Sequence, residues 1–506
     1  MKKLFAKKAL RDLVEESNHH HFKRVLGPFS LTALGIGAVI GAGIFVLTGL
    51  AAKEYAGPSL ILSFVLSGFA CIFVALCYAE FASMVPLAGS AYTYAYAGLG
   101  ELFAWIIGWD LILEYSLASS LVAVGWSHYF VKLIGFFSLE IPLWLTNDYW
   151  TLSHHTKALF IQNIPYIKGI PVVFNLPAAL IIGVITYLLV IGIKESARFN
   201  NIIVVVKLSV ILLVIFAGWF YVKSDNWGNS WATFSPFGIS GIGTGAAYVF
   251  FAYIGFDAVS TTAQEARNPQ KDVPISIIAS LVICTFLYIA VTAILTGMVY
   301  YKEISIDAPL ADAFTRYGLV KIPFFISVGA VAGLTSVLLV LLMSQARIFW
   351  AMAKDGLLSE RLFAVVHPRY GTPYISTIIV GACVSITACF FPIEEIAKLV
   401  NIGTLLAFCL VCAAVIILRI KNPQHPRAFR CPFVPVIPIM GIISCGYMMF
   451  RLEFSTWLRL FIWLAIGSII YFAYSRRHSK LAKKHALMEK QNESMVELDK
   501  SYLQGR

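Results

Sequence analysis

Apolar residues in this chain run in long blocks separated by short polar stretches. Twelve blocks have a length suited to a helix crossing a hydrocarbon core about 30 Å thick. They cover roughly 29–50, 59–84, 97–130, 176–193, 199–222, 240–262, 273–299, 322–353, 374–391, 396–418, 434–452 and 457–475. Pro58, Pro177, Pro274, Pro323 and Pro373 sit at or beside block starts, where a missing N–H matters little. The pattern predicts an all-α polytopic membrane protein with twelve transmembrane helices.

The first block does not read as a plain lipid-crossing helix. Gly35, Gly37, Gly41, Gly43 and Gly49 crowd into TALGIGAVIGAGIFVLTG. Each glycine disfavours a continuous helix by about 1 kcal/mol relative to alanine. The block is therefore expected to break at Gly41-Ala42-Gly43, leaving bare backbone groups near the bilayer midplane. Close helix packing through small residues is the other reading of the same glycines. The sixth block, GISGIGTGAAYVFFAYIGFDAVSTTAQE, repeats the feature with Gly241, Gly243, Gly245 and Gly255, and a second break is expected around 250–256. The sixth block lies five blocks after the first, and an odd number of crossings inverts the second five-helix unit relative to the first. Interrupted helices at matching positions of inverted repeats point to a transporter binding site.

That symmetry sets the domain boundaries: a tail at 1–28, a first repeat at 29–222, a second at 240–418, a helix pair at 434–475 and a tail at 476–506. Orientation follows from Lys and Arg. With both termini in the cytoplasm, 26 of the 39 basic residues fall on the inner side, 11 on the outer side or at outer block ends, and two, Lys207 and Arg347, well inside blocks. The long connection 131–175 is then extracellular, as a cover for the outer mouth or a tolerated insertion. The N-terminal tail has no apolar core, so no cleavable signal is expected. It reads as an interfacial amphipathic helix or a solvated basic tail. The C-terminal tail reads as cytosolic.

Composition agrees with a membrane location. Hydrophobic residues make up 59% of the 506 positions and charged residues 13%, with mean hydropathy +0.79. Soluble domains carry about 25% charged residues. The net charge of +12 sits in the connecting loops and gives no reason to expect nucleic acid. Eight of the nine cysteines lie within or beside apolar blocks, where they act as small hydrophobes. No disulfide framework, metal site or cofactor is implied.

Ionisable residues inside the blocks each need a reason, because insertion disfavours them by about 2.5–3.5 kcal/mol. Asp110 and Glu114 stand four residues apart on the third block and share a face. Lys207 lies inside the fifth, Asp257 follows the second break, and Glu80 and Arg347 lie near inner ends, where an arginine can snorkel. Lys207 can tie to a carbonyl freed by the first break, can titrate and couple transport to protons, or can stand in for a bound cation. Glu114 and Asp257 either pair within the bundle or line a cavity that favours a cationic or polar side chain.

The breaks also offer amino-acid chemistry. The N–H groups of Ala42, Gly43 and Ile44 open a helix, a setting that favours a carboxylate. Carbonyls around Val39-Ile40 and Phe251-Ala252-Ile254 can accept from an ammonium group. Phe250, Phe251 or Phe256 can close over the ligand or simply pack. An ion channel is the rival reading, since interrupted helices also line pores. Nothing resembling HExxH, a nucleophile–base set or a Walker A loop supports an enzyme or an ATP-driven pump.

The stretches AVIGAGIFVLTG, PLAGSAYTYAYAGLGELFAWIIGWDLILEY and FFAYIGFDAVSTTAQEARNPQKDVPISI resemble the amino acid–polyamine–organocation (APC) superfamily. The nearest branch in character is bacterial permeases similar to the cationic amino acid transporters, and the resemblance spans about 25–475. It implies the five-plus-five inverted-repeat fold with two further helices, and alternating access. It assigns the substrate carboxylate to Ile40, Gly41, Ala42, Gly43 and Ile44. It assigns the amine and lid to Phe250, Phe251, Ala252 and Ile254, and the side-chain pocket to Glu114 and Asp257. Lys207 matches the lysine that proton-coupled members place where sodium-coupled relatives bind an ion; Thr335 and Ser336 are weaker candidates for that region. Ala42 replaces the threonine common in this motif, removing a hydroxyl but keeping the N–H. The expected partners are an amino acid (cationic or small neutral), protons and the lipid bilayer, with polyamine or other organocation exchange as the alternative on the same fold.

Overall fold

A computed structural model describes residues 26–84, 90–155, 164–167, 170–192, 197–261, 266–424 and 426–483. The N-terminal tail before residue 26 and the C-terminal tail after residue 483 lie outside the described residues. Among them, twelve helices reach twelve residues or more. In chain order these are α1 (Pro28–Val39), α2 (Leu60–Met84), α3 (Glu101–Gly135), α4 (Leu176–Val190), α5 (Ala197–Trp219) and α6 (Gly238–Val249). Then follow α7 (Pro269–Met298), α8 (Lys321–Lys354), α9 (Tyr374–Phe390), α10 (Ile393–Lys421), α11 (Val436–Phe450) and α12 (Phe454–Ile470).

Among the described residues the fold is all-helical apart from a two-residue antiparallel pairing of Tyr166–Ile167 with Ile170–Pro171 and an isolated parallel bridge between Leu26 and Ala266. Among the described residues, seven helical stretches are long and apolar enough to cross a membrane, and α1, α4, α9 and α11 are shorter apolar helices. Large hydrophobic side chains such as Phe216, Phe286 and Phe461 stay exposed on helix faces. That is what a bilayer solvent permits, since no water must be avoided there. All nine cysteines are free.

The first apolar block divides as its glycines suggest. Helix α1 ends at Val39, Ile40 turns to an extended ψ of 97°, and helical structure resumes as a π-helical turn at Gly43–Leu47. It continues through Thr48–Ala51 and a second π stretch, Ala52–Ala56. The sixth block divides too. Helix α6 ends at Val249, a 3-10 turn covers Phe250–Tyr253, Ile254 swings to ψ 135°, and Ala258–Thr261 resumes as helix. Both α1 and the turn after α6 sit inside the bundle. Helix α1 packs on α5, α7 and α8, while α3 packs on α8 and α10, and α7 on α2.

The two faces of the bundle differ. On the face where the described chain begins and ends, Glu80 is buried and takes four hydrogen bonds. These come from Arg419 Nε (3.0 Å) and Nη2 (2.7 Å), Arg427 Nε (2.9 Å) and the Cys431 N–H (2.8 Å). They tie the end of α2 to the end of α10 and the loop beyond it. Tyr92 also bonds Asp355 at 2.7 Å, and Lys480 N–H bonds the Asp355 carbonyl at 3.1 Å. The opposite face carries the described parts of the connection 136–175 and a cavity of about 850 Å³. Asn147, Asp148, Trp150 and Thr151 line it, so the long connection walls this vestibule. Its floor reaches Leu117, less than one helical turn from Glu114.

Candidate functional site

The two helix breaks meet face to face. A Cβ on Gly43 would lie 2.2 Å from Cα of Ala252, closer than any side chain permits. Gly255 adopts φ +114°, and a Cβ there would lie 2.8 Å from the carbonyl oxygen of Ala38. Each break thus presents a bare backbone position to the other. Gly41 rests against Val337 of α8 at 3.4 Å from its Cβ position. Ile40, Ala42 and Ile44 are fully buried, and Gly41 and Gly43 are buried with them. At the start of the resumed helix Phe45 N–H reaches back to the Gly41 carbonyl at 3.3 Å, and the N–H groups ahead of it have no acceptor within the first turn.

Lys207 of α5 is wholly buried and donates to the Gly37 carbonyl at 2.6 Å. The reason lies in the break. The last capping bond of α1 runs from Ile40 N–H to Ile36 O, so the next carbonyl, Gly37, has lost the helical donor four residues on. Lysine replaces that donor. From α8, Gly333 faces the lysine: a Cβ there would stand 3.0 Å from Lys207 Cε. Ser336 shares a helical face with Gly333 and Val337 and is buried. Thr335 points elsewhere, accepting from the Trp126 indole of α3 at 2.9 Å. Of the two weaker candidates, only Ser336 shares the face of α8 that meets Lys207.

Tyr288 was not singled out by the sequence. Its hydroxyl lies 2.8 Å from the Val39 carbonyl and 2.9 Å from the Ala252 carbonyl, spanning both breaks. These carbonyls were expected to await an ammonium group; here they face a hydroxyl that can donate to one at a time. The Phe251 carbonyl likewise accepts from Ile254 N–H at 3.1 Å. Only the occurrence of a hydroxyl in TFLYIAV could have flagged Tyr288, and a buried tyrosine is ordinarily core.

Among the aromatics of the second break, Phe250 and Phe256 pack on Phe408 of α10, with ring centroids 5.7 and 5.3 Å away. Phe251 is buried and stands apart from that stack. Glu114 is buried on α3, meets the Thr404 hydroxyl of α10, and keeps Oε2 without a hydrogen-bond partner among the described residues. Asp257 lies near it and accepts from Tyr115 at 3.4 Å. Asp110 shares the face of Glu114 but turns to Gly403 of α10, and neither of its oxygens has a partner among the described residues. Arg347 is exposed, in keeping with snorkelling.

Ala38, Tyr115, Ile254, Gly255, Asp257 and Val337 help enclose a cavity of about 10 Å³ beside the breaks. That is about the room one water needs. The site is therefore shut in this conformation. Above it, Tyr55 stacks on Tyr248 at 4.0 Å and donates to Glu394 at 2.5 Å. Lys398, also buried, reaches Glu394 (3.1 Å), Glu395 (2.9 Å) and Glu453 (3.1 Å).

A profile of the amino acid permease family matches residues 26–474. The methylthioribose transporter of Bacillus subtilis (strain 168) is 48% identical over 96% of this chain and 100% of its own length. The branched-chain amino acid permease BcaP of the same organism is 48% identical over 94% of this chain and 99% of its own. The vacuolar cationic amino acid transporter 4 of Arabidopsis thaliana is 31% identical over 93% and 94%. With helices interrupted where their glycines suggested and a match spanning nearly the whole bundle, this chain belongs to the amino acid permease family.

Proposed function

We propose that the protein is a secondary active transporter that takes up L-amino acids by alternating access, coupled to protons. The observation that carries this reading is the contact of Gly43 with Ala252, which brings a helix-opening turn and a second interrupted turn into one buried place. The N–H groups of Ala42, Gly43 and Ile44 hold the carboxylate of a zwitterion; the carbonyls of the second break hold its amine once Tyr288 yields Ala252. Helices α1–α5 and α6–α10 form two inverted repeats, with α11 and α12 appended and both termini in the cytoplasm. The vestibule then faces outward, and the Glu80 cluster seals the cytoplasmic side. The conformation is outward-facing with a closed site.

Lys207 supplies the coupling. Its ammonium holds the Gly37 carbonyl, so loss of the proton weakens the anchor of α1 beside the site. Two relatives of equal identity carry different substrates in their names. Overall likeness therefore leaves the side-chain end of the pocket to particular residues. Glu114 and Asp257 give it negative charge, which favours cationic or small neutral amino acids.

Uptake into proteoliposomes tests the reading. Saturable, stereoselective uptake of L-amino acids, driven by an inward proton gradient, is expected. Unitary currents without saturation would mean a channel.

A further inference from the structure

The vestibule holds chemistry that the buried site does not use. Five carboxylates line it: Asp148, Asp307, Glu394, Glu395 and Glu453. Arg459 lines it too, and Lys398 lies against three of the acids. Around three negative charges are left over, in a concave space of about 850 Å³, within the range of ordinary ligand pockets. Concave walls of one sign concentrate ions of the other.

One corner goes beyond a diffuse field. His128 projects from α3 into the vestibule with its side chain nine-tenths buried, and its Nδ1 makes no hydrogen bond among the described residues. Across from it, Asp307 Oδ1 lies 3.6 Å away, too far for a hydrogen bond. In a neutral imidazole one ring nitrogen is an acceptor, and a carboxylate only accepts. With the ring proton on Nε2, Nδ1 is the acceptor, and two acceptors at this separation leave a place for a donor to sit between them, about 2.9 Å from each. A guanidinium or ammonium group carries such donors and the matching charge.

We infer that the His128–Asp307 corner of the vestibule is a binding site for a cationic amine, guanidinium above all, separate from the buried site and occupied before it. It stands apart from the transport reading: Asp307 lines the vestibule and Glu114 the buried site, so substitutions at the two positions tell occupancy of one from occupancy of the other.

The probe is agmatine, which has a guanidinium and an amine but no carboxylate. Its binding to the purified full-length protein is read by titration calorimetry in wild type, Asp307→Asn and Glu114→Gln. Asp307→Asn is expected to weaken binding at least fivefold and Glu114→Gln to leave it unchanged. Glu453→Gln, at an exposed position across the vestibule, should give a smaller loss and serves if Asp307→Asn melts below wild type. Absence of agmatine binding, or wild-type affinity in Asp307→Asn and Glu453→Gln, overturns the inference. If amino acid uptake persists in that case, the vestibule site falls and the transporter stands; if agmatine binds at Asp307 while no amino acid is taken up, the reverse holds.

Discussion

Lys207 Nζ lies 2.6 Å from the carbonyl oxygen of Gly37, the first carbonyl that the break in α1 strands. A charged group inside the bundle is thus explained by a backbone defect 170 residues away in the chain. Lys207→Ala should abolish proton-driven accumulation. It should also lower stability by about 1–3 kcal/mol, because a buried carbonyl loses its donor. Uptake with and without a pH gradient checks the first effect and thermal melting the second. Full gradient dependence in the variant would remove Lys207 from the coupling.

Gly43→Ala should separate the two breaks. The new methyl would meet the Ala252 backbone, which cannot rotate away as a side chain can. Overpacking of this kind typically destabilises by about 1–3 kcal/mol. The variant should melt lower and lose amino-acid binding by more than tenfold. Gly27→Ala, whose Cβ meets open space, is the control that should leave both unchanged.

Tyr288→Phe keeps the ring and removes the hydroxyl that spans Val39 and Ala252. A loss of about 1 kcal/mol in stability is expected, the usual size of a single neutral hydrogen bond. Because the hydroxyl occupies the carbonyl proposed for the amine, amino-acid affinity should change severalfold as well, measured by competition binding. Unchanged affinity would mean that Tyr288 only staples the bundle.

Glu114→Gln should weaken arginine and lysine at least tenfold more than alanine, as the charge contributes only to a cationic side chain. Binding titrations of the three ligands decide it. An equal loss for all three would make the acid structural.

Glu80→Gln should loosen the face that carries the chain ends, leaving Arg419 and Arg427 without their shared counter-charge. Breaking a buried pair from one side typically costs about 3–5 kcal/mol. Cys431, whose N–H bonds Glu80, should become open to maleimide, read site by site by mass spectrometry. Wild-type labelling would mean that this cluster is not the seal.

The helix blocks and both breaks were legible in the sequence because glycine and lipid-scale hydropathy are local properties. The buried placement of Lys207 was legible for the same reason: a charge in an apolar block needs a partner. What it bonds to was left open among three roles, since the partner carbonyl belongs to another helix. Tyr288 was missed because a tyrosine among apolar residues looks like core until two stranded carbonyls are placed beside it. The vestibule was invisible, since His128, Asp148, Asp307 and Glu453 come from four separate loops and helix ends that only the fold assembles. Thr335 and Ser336 looked alike in the sequence, and helical phase separates them: Ser336 shares the face toward Lys207, while Thr335 bonds Trp126.

The most direct test is a structure solved with the L-amino acid that most raises the melting temperature of the purified protein. The ligand's carboxylate should lie within hydrogen-bond distance of the N–H groups of Ala42, Gly43 and Ile44, with its amine at the carbonyls of the second break. An amino acid bound only in the vestibule, with the breaks still shut around Gly43 and Ala252, would contradict it.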